Sequence, residues 1–119
     1  MFGARNLRNG RWLAANVDVA DSFLGRFTGL MGRNDLPEGA GLFISPCNSI
    51  HSFFMRFSFD ALFLDSNNEV VSIIHLMPPY RVSKIIPRAV GVLELPAGTA
   101  VATDTVVGDR LEFLQETLN

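Results

Sequence analysis

Apolar and polar side chains alternate along residues 12–19, which is the two-residue period of a β-strand with one buried face. The period changes directly after this segment, because apolar residues over 21–31 recur at helical spacing. Asp21 and Ser22 are both suited to cap the start of a helix, and Gly32 is suited to end it. We therefore predict a strand over residues 12–19 followed by a short helix near residues 21–31.

Downstream of this helix the chain consists of short strand-like segments separated by frequent turns. Residues 57–65 alternate in polarity, and the turn Asp65-Ser66-Asn67-Asn68 connects them to a β-branched segment, so residues 57–76 are expected to form a hairpin. The same criteria predict strands over 42–45, 89–95 and 110–114 and a single helical turn over 99–105. This pattern predicts a mainly β fold, a compact antiparallel β-sandwich or barrel-like domain with one short helix near residues 21–31.

The chain has 119 residues, enough for one domain with one hydrophobic core. We take residues 1–119 as a single domain, with residues 1–11 as a candidate loose N-terminal arm. Apolar residues make up 48% of the chain, which excludes an intrinsically disordered protein. No run approaches the ~18 apolar residues of a membrane span, and a net charge of −2 argues against nucleic-acid binding. Polar residues interrupt the N-terminal segment, so we identify no signal peptide and predict a cytoplasmic location.

Several short stretches, taken in order, resemble a known family. They are Gly29-Leu30-Met31-Gly32-Arg33, Gly41-Leu42-Phe43, CNSIHSFFMR over 47–56, FDALFLD over 59–65, VLELPAG over 92–98 and Val107-Gly108-Asp109. With this order and spacing, from about residue 17 to 114, the chain resembles domain-of-unknown-function family 192, a bacterial-type family of small uncharacterised β-domains. The resemblance implies a compact single-domain β fold without an established activity, and it implies that many related sequences are exported.

Cys47, His51 and Met55 are spaced four residues apart, which places them on one side of the chain in either a strand or a helix. Three interpretations are open for this set. Thiol, imidazole and thioether suit copper, with His75 and Met77 as further ligands from the hairpin. A Cys47–His51 pair suits a nucleophile and its base. The interpretation we favour is hydrophobic packing, with Cys47 buried and unreactive, because single cysteines are usually buried and methionine fills gaps beside aromatic rings.

Asp60 and Glu94 are acidic residues within otherwise apolar predicted strands. Two carboxyl groups about 5–9.5 Å apart in a cleft could catalyse glycoside hydrolysis. We expect instead that each faces solvent or is paired, since an unpaired buried charge costs roughly several kcal/mol. For Asp60 we predict a structural carboxylate that accepts hydrogen bonds from backbone amides or from an arginine.

No common catalytic or phosphate-binding motif is present, and no cofactor is predicted. Six phenylalanines between Phe43 and Phe63 suit a hydrophobic core or, as the alternative, a ligand pocket. We expect a soluble protein with a binding or structural role, acting on an unidentified ligand or protein partner, as a monomer or weak homodimer. The alternative is a small enzyme or metal-binding protein that uses the Cys47–His51 pair.

Overall fold

The computed structural model describes residues 2–115, which form seven β-strands and two short helices. In chain order these are β1 (Phe2–Asn6), β2 (Trp12–Ala20), α1 (Phe23–Thr28), β3 (Ala40–Ile44), β4 (Phe59–Leu64), β5 (Val70–Met77), β6 (Gly91–Pro96), α2 (Thr99–Ala102) and β7 (Leu111–Gln115). The predicted mainly β fold is confirmed, and each strand and helix predicted from the sequence has a counterpart in the structure.

Helix α1 is shorter than the segment over which helical spacing extends. Its N-cap is Ser22, whose hydroxyl accepts a hydrogen bond from the Gly25 amide. Gly29 ends the helix with φ 46° and ψ −121°, and its amide donates to the Gly25 carbonyl. A side chain is strongly disfavoured in this conformation, so glycine is what allows the chain to turn away from the helix axis here.

All seven strands belong to one sheet, in the order β5-β4-β6-β3-β2-β1-β7. The hairpin predicted over residues 57–76 is confirmed as the antiparallel pair β4–β5. Among the described strands, one neighbouring pair departs from the predicted antiparallel pairing. Strands β2 and β3 are parallel, with Asn16 opposite Ala40 and Ala20 opposite Ile44. Parallel neighbours need a crossover connection, and α1 with the loop after it supplies that connection.

The sheet curls until its two edges meet at one end. Glu69 and Arg110, which directly precede the edge strands β5 and β7, form an antiparallel bridge. Beside this bridge the Val70 amide donates to the Asp109 carbonyl at 2.8 Å, and the Gly108 amide donates to the Val70 carbonyl at 2.8 Å. The strands therefore form a half-barrel. Of the two predicted architectures, the sandwich and the barrel-like domain, this is the second.

The two faces of the curled sheet carry separate hydrophobic cores. The inner core takes residues from all seven strands, together with Ala100 of α2. The outer core lies between the opposite face and a layer formed by the segment after α1 and the loops that follow β3 and β5. On β6, Leu93 and Leu95 belong to the inner core and Val92 to the outer core, so alternation places Glu94 on the outer face.

Residues 2–6 do not form part of a loose arm but are strand β1, paired with β2 on one side and β7 on the other. Polar contacts fix the chain directly after this strand. The Arg8 guanidinium donates to the carboxylate of buried Asp109, with Nε 2.6 Å from Oδ1, and the Asn6 side chain donates to the same carboxylate at 2.9 Å. The hydrogen bond from Arg8 lowers the pKa of Asp109 to about 2. Asn6 and Arg8, both within the segment proposed as a loose arm, thus hold it in place.

Candidate functional site

Glu94 lies at the centre of the sheet and has a buried carboxyl group. Strand β6 places it opposite Leu42 of β3 and Ala61 of β4, and its side chain faces the outer layer. The residue is 2% exposed, and none of the hydrogen bonds within the described residues involves its carboxyl group. Burial raises the pKa of Glu94 to about 8, although the positive charge of Arg33 acts to lower it. The group is therefore mostly a neutral carboxylic acid at neutral pH.

A cavity of about 40 Å³ lies against this carboxyl group. Its walls come from the second half of α1, from β3 and from the loop after β3, and they include Arg26, Thr28, Gly29, Ser49 and His51. Gly29 contributes through its backbone, since a Cβ atom built on it would lie 3.5 Å from Glu94 Oε1. The glycine that ends α1 therefore also forms part of the wall beside the acid.

The cavity adjoins an apolar groove on the protein surface. The groove encloses about 350 Å³, shares Phe27 and His51 with the cavity wall, and extends past Met31 to Phe54. A further depression of about 500 Å³ shares Met31 and Phe54 with the groove and reaches Tyr80. Because they share these side chains, the cavity, the groove and the depression form one continuous concave surface beside α1.

A row of aromatic rings borders this feature. In spatial order the aromatic row consists of Phe27, His51, Phe53, Tyr80 and Phe54, with neighbouring ring centres 5.3, 5.5, 6.4 and 5.9 Å apart. Phe27, Phe54 and Tyr80 are each more than half exposed. Phe54 and Tyr80 also have φ values of 62° and 61°, a left-handed conformation that is unfavourable for bulky residues. Strained backbone of this kind is concentrated at functional sites.

His51 uses both ring nitrogens within the fold. Nε2 lies 2.8 Å from the Phe27 carbonyl oxygen, and Nδ1 accepts a hydrogen bond from the Phe53 amide at 3.2 Å. Because Nδ1 is the acceptor, these contacts fit the neutral tautomer whose Nε2–H donates to Phe27. The imidazole thus connects α1 to the loop after β3, and neither nitrogen is left over to act as a base or a metal ligand.

Cys47 lies in the same loop, half-buried against the outer core. Its thiol donates to the Ser49 carbonyl at 3.0 Å. Burial raises the pKa of this thiol; the Ser49 hydrogen bond opposes the rise, the nearby Glu94 carboxylate adds to it, and Arg26 acts to lower it. Within residues 2–115 no hydrogen bond joins Cys47 to His51. The structure therefore places the two residues in one loop without the contact that a nucleophile and its base require.

Asp60 and Glu94 lie on opposite faces of the sheet. Strand pairing places Asp60 opposite Leu95, a residue of the inner core, whereas Glu94 faces outward. The Asp60 carboxylate is fully buried and accepts hydrogen bonds from the amides of Leu76 and Ala100, both at 2.9 Å. The predicted hydrogen bonding from backbone amides is confirmed. Because the sheet separates the two acids, they do not form the carboxyl pair that glycoside hydrolysis would need.

The other candidate metal ligands are dispersed. Met55 and Met77 are buried in the outer core, while His75 is exposed beside a separate depression between β5 and α2. Within residues 2–115, no three His, Cys, Asp or Glu side chains are grouped closely enough to hold a metal ion. The described part of the chain thus does not assemble Cys47, His51 and Met55 into a metal centre.

Sequence reasoning selected Glu94 and His51 but missed Arg26, Gly29 and the exposed aromatic row. The available signal for Gly29 was its place in the stretch Gly29-Leu30-Met31-Gly32-Arg33, which carries the family resemblance. The phenylalanines around Phe54 were interpreted mainly as core because composition does not reveal which rings remain at the surface. The structure therefore directs attention to the acid and the groove, and not to the Cys47–His51 pair that was kept as the alternative.

The curled single sheet with a short crossover helix places the chain among small mainly β proteins. A family model described as "Uncharacterized ACR" (DUF192) matches residues 4–113. The chain belongs to this family, which confirms the resemblance found in the sequence. The family is uncharacterised and its function is unknown.

Curated relatives of this chain are named UPF0127 proteins. One from Pyrococcus furiosus is 37% identical over 118 residues, which covers 91% of this chain and 95% of the relative. One from Pyrococcus abyssi is 38% identical over 103 residues, covering 82% of this chain and 86% of the relative. These relatives are archaeal, so the expectation of a bacterial-type family was too narrow.

Two crystal structures share the fold. A protein of unknown function from Novosphingobium aromaticivorans superimposes with a TM-score of 0.80 at 20% identity, covering 93% of this chain and 82% of that chain. A Sinorhizobium meliloti protein described as a "putative transcription regulator" gives a TM-score of 0.79 at 27% identity, covering 94% and 91%. Neither helix within residues 2–115 has the length and apolar character needed to cross a membrane.

Proposed function

We propose that this protein binds a small organic ligand in the groove beside α1, with the polar end of the ligand in the cavity at Glu94. The observation that carries the proposal is the Glu94 carboxyl group, which is buried, lacks a hydrogen-bond partner within the described residues and borders the cavity. A buried polar group without a partner costs roughly 1–3 kcal/mol. A ligand that forms hydrogen bonds with this group would offset that cost.

The composition of the groove supports the same proposal. Small-molecule sites are mainly apolar, with a few polar groups that fix the orientation of the ligand. Here the aromatic row supplies the apolar contact, and Glu94, Arg26 and Ser49 supply polar groups at one end. The groove volume of about 350 Å³ lies within the range of known ligand pockets. Exposed apolar rings in one place also indicate a surface that is covered in use.

Two other functional classes have less support. An enzyme built on Cys47 and His51 would need a free imidazole nitrogen and a thiolate, whereas both nitrogens are engaged and burial favours the thiol. Transcription regulation, which the description of the Sinorhizobium structure suggests for that protein, usually involves DNA. A net charge of −2 gives this chain little electrostatic affinity for a phosphate backbone.

The proposal is tested by a fragment screen that is monitored by two-dimensional NMR of the full chain. The library should contain acids, amines, amides and sugars, each with a small apolar body. We expect some of these fragments to shift the amide resonances of Gly29, Ser49 and Phe53 together, because these residues border one continuous space.

A matched pair of variants locates the binding. Phe54→Ala removes an exposed ring from the groove, whereas Leu76→Ala removes an exposed apolar side chain with a similar φ of 53° that lines none of these spaces. Binding should weaken at least several-fold in the first variant and remain unchanged in the second. If no fragment shifts the groove resonances, or if both variants bind as the wild type does, the proposed function is wrong.

A further inference from the structure

We infer that the ligand of this site is an organic carboxylate, with its carboxylate group held between Glu94 and Arg26 and its apolar body along the aromatic row. This inference rests on the proposed function and specifies its ligand class. It follows from the size of the cavity, the charges that face it and the hydrogen-bonding capacity of its walls.

The size of the cavity matches a three-atom polar group. One buried water molecule requires a cavity volume of roughly 10–15 Å³. The cavity of about 40 Å³ at Glu94 therefore holds about three groups the size of a water molecule. A carboxylate has three heavy atoms and would fill this space, whereas an ammonium group would leave most of it empty. Empty polar space beside a buried acid is unfavourable, so the larger head group fits better.

The charges around the cavity favour an anion. Arg26 lines the cavity; its Nη1 donates to the Asp21 carbonyl at 2.9 Å, and its other N–H groups make no hydrogen bond within the described residues. Arg33 is the cation whose charge acts on the Glu94 carboxyl group, and its Nη2 lies 3.9 Å from Asp18 Oδ2. Glu94 is the only acidic residue among the described residues that line the cavity, the groove or the adjoining depression. With Glu94 neutral, the local charge is positive.

A neutral Glu94 also provides the hydrogen bond that a carboxylate needs. Its O–H group can donate to one carboxylate oxygen, so that two carboxyl groups share one proton, as in the acid pairs of other sites. The Arg26 guanidinium can donate to the second oxygen in a charge-assisted hydrogen bond. Several other groups near Glu94 are already engaged or are apolar. The Cys47 thiol donates to Ser49, the His51 ring is bonded at both nitrogens, and the strands on either side contribute only apolar residues.

An organic cation is the rival ligand class, and it predicts the opposite pH dependence. An amine would need ionised Glu94, so its binding would strengthen as the pH rises through about 8, and it would place a second positive charge beside Arg26. A carboxylate needs protonated Glu94, so its binding should weaken over the same range. The sign of the pH dependence therefore separates the two classes.

The experiment uses three probes that share one apolar body: 3-phenylpropionate, 3-phenylpropionamide and 3-phenylpropylamine. Each is titrated into the full chain at pH 6 and pH 9, with the amide resonances of Gly29 and Ser49 as the readout. We expect 3-phenylpropionate to bind most tightly at pH 6. Its affinity should fall about tenfold at pH 9, because about nine-tenths of Glu94 is then ionised.

Variants test the two anchoring groups. Glu94→Gln keeps a neutral hydrogen-bond donor of the same shape, so 3-phenylpropionate should still bind and the loss at pH 9 should disappear. Arg26→Met should weaken binding of the acid at least tenfold and leave the neutral amide nearly unaffected. Arg110→Met, an exposed arginine that lines none of these spaces, is the matched control and should change neither.

The outcomes distinguish this inference from the proposed function. If the amine or the amide binds best at the same residues, the ligand class is wrong while the binding site stands. The same conclusion follows if the acid binds equally at pH 6 and pH 9 in the wild type. If none of the three probes shifts the resonances of the groove and the fragment screen also fails, the binding site itself is wrong.

Discussion

Glu94→Gln should change how the stability of the unliganded protein depends on pH. A carboxyl group whose pKa is higher in the folded state than in the unfolded chain binds its proton more tightly when folded. Ionisation of Glu94 therefore destabilises the fold as the pH rises from 4.5 to about 8, and above that value the destabilisation is constant. Glutamine has nearly the same shape and does not ionise, so the variant should lack this loss of stability.

The expected magnitude follows from the two pKa values. A change from 4.5 in the unfolded chain to about 8 in the folded protein corresponds to about 5 kcal/mol, taking about 1.4 kcal/mol for each pH unit. The group is almost fully buried, so solvent screening reduces this value little. Because domains of this size are stable by only about 5–15 kcal/mol in total, even half of the effect would be readily measured.

Urea denaturation of both proteins at pH 5 and pH 9 tests the reasoning. We take the difference between wild type and variant at each pH, so that the titration of all other groups cancels. At pH 5 the two proteins should agree within about 1 kcal/mol, and at pH 9 the variant should be more stable by about 3–5 kcal/mol. The exposed residue Glu38, changed to Gln, provides the control and should show no such difference. Equal stability of wild type and Glu94→Gln at both pH values would refute the buried, partnerless acid.

Three further predictions concern residues away from the groove or beside it. Asp60→Asn should lower the free energy of unfolding by roughly 1–3 kcal/mol and Asp60→Leu by more, since the backbone amides lose a charged acceptor; unchanged denaturation midpoints would contradict this. The Arg8–Asp109 contact stabilises the fold above pH 3.8, and this stabilisation is lost as the pH falls to about 2. The free energies of unfolding of wild type and Asp109→Asn should therefore converge in acid. A difference that stays constant with pH would be inconsistent with the lowered pKa of Asp109. Cys47 should react slowly with a thiol reagent at neutral pH without denaturant, because burial raises its pKa; rapid modification would show a reactive thiolate.

The fold could be predicted to the extent that it follows from local alternation. The β4–β5 hairpin is an example, since the turn Asp65-Ser66-Asn67-Asn68 lies directly between two segments with strand character. The parallel pairing of β2 with β3 was not predicted, because alternation identifies a strand but not the direction of its neighbour. Strand β1 was missed because one of its pairing partners, β7, lies at the other end of the chain.

The candidate site was predictable only in part. Glu94 was recognised as an acid in an apolar strand, but its lack of a partner depends on which groups α1 and the following loops place above it. The aromatic row could not be derived, because Phe54 and Tyr80 reach the surface through left-handed backbone conformations that no sequence pattern encodes. The Cys47–His51 pair, which was the alternative to the favoured packing interpretation, is not formed, since the Phe27 carbonyl and the Phe53 amide engage the two His51 nitrogens.

The cost of the buried acid and the proposed binding of a carboxylate are two aspects of one equilibrium. Without a ligand, the raised pKa of Glu94 means that stability is lost as the pH rises from 4.5 to about 8. A bound carboxylate would hold the Glu94 proton in place, so the stabilisation that the ligand gives should be largest below pH 8 and should shrink above it. A strand position that only supported the core would be served better by leucine, which has no desolvation cost. The presence of a glutamic acid at this buried position beside Gly29 is therefore better explained by binding than by stability.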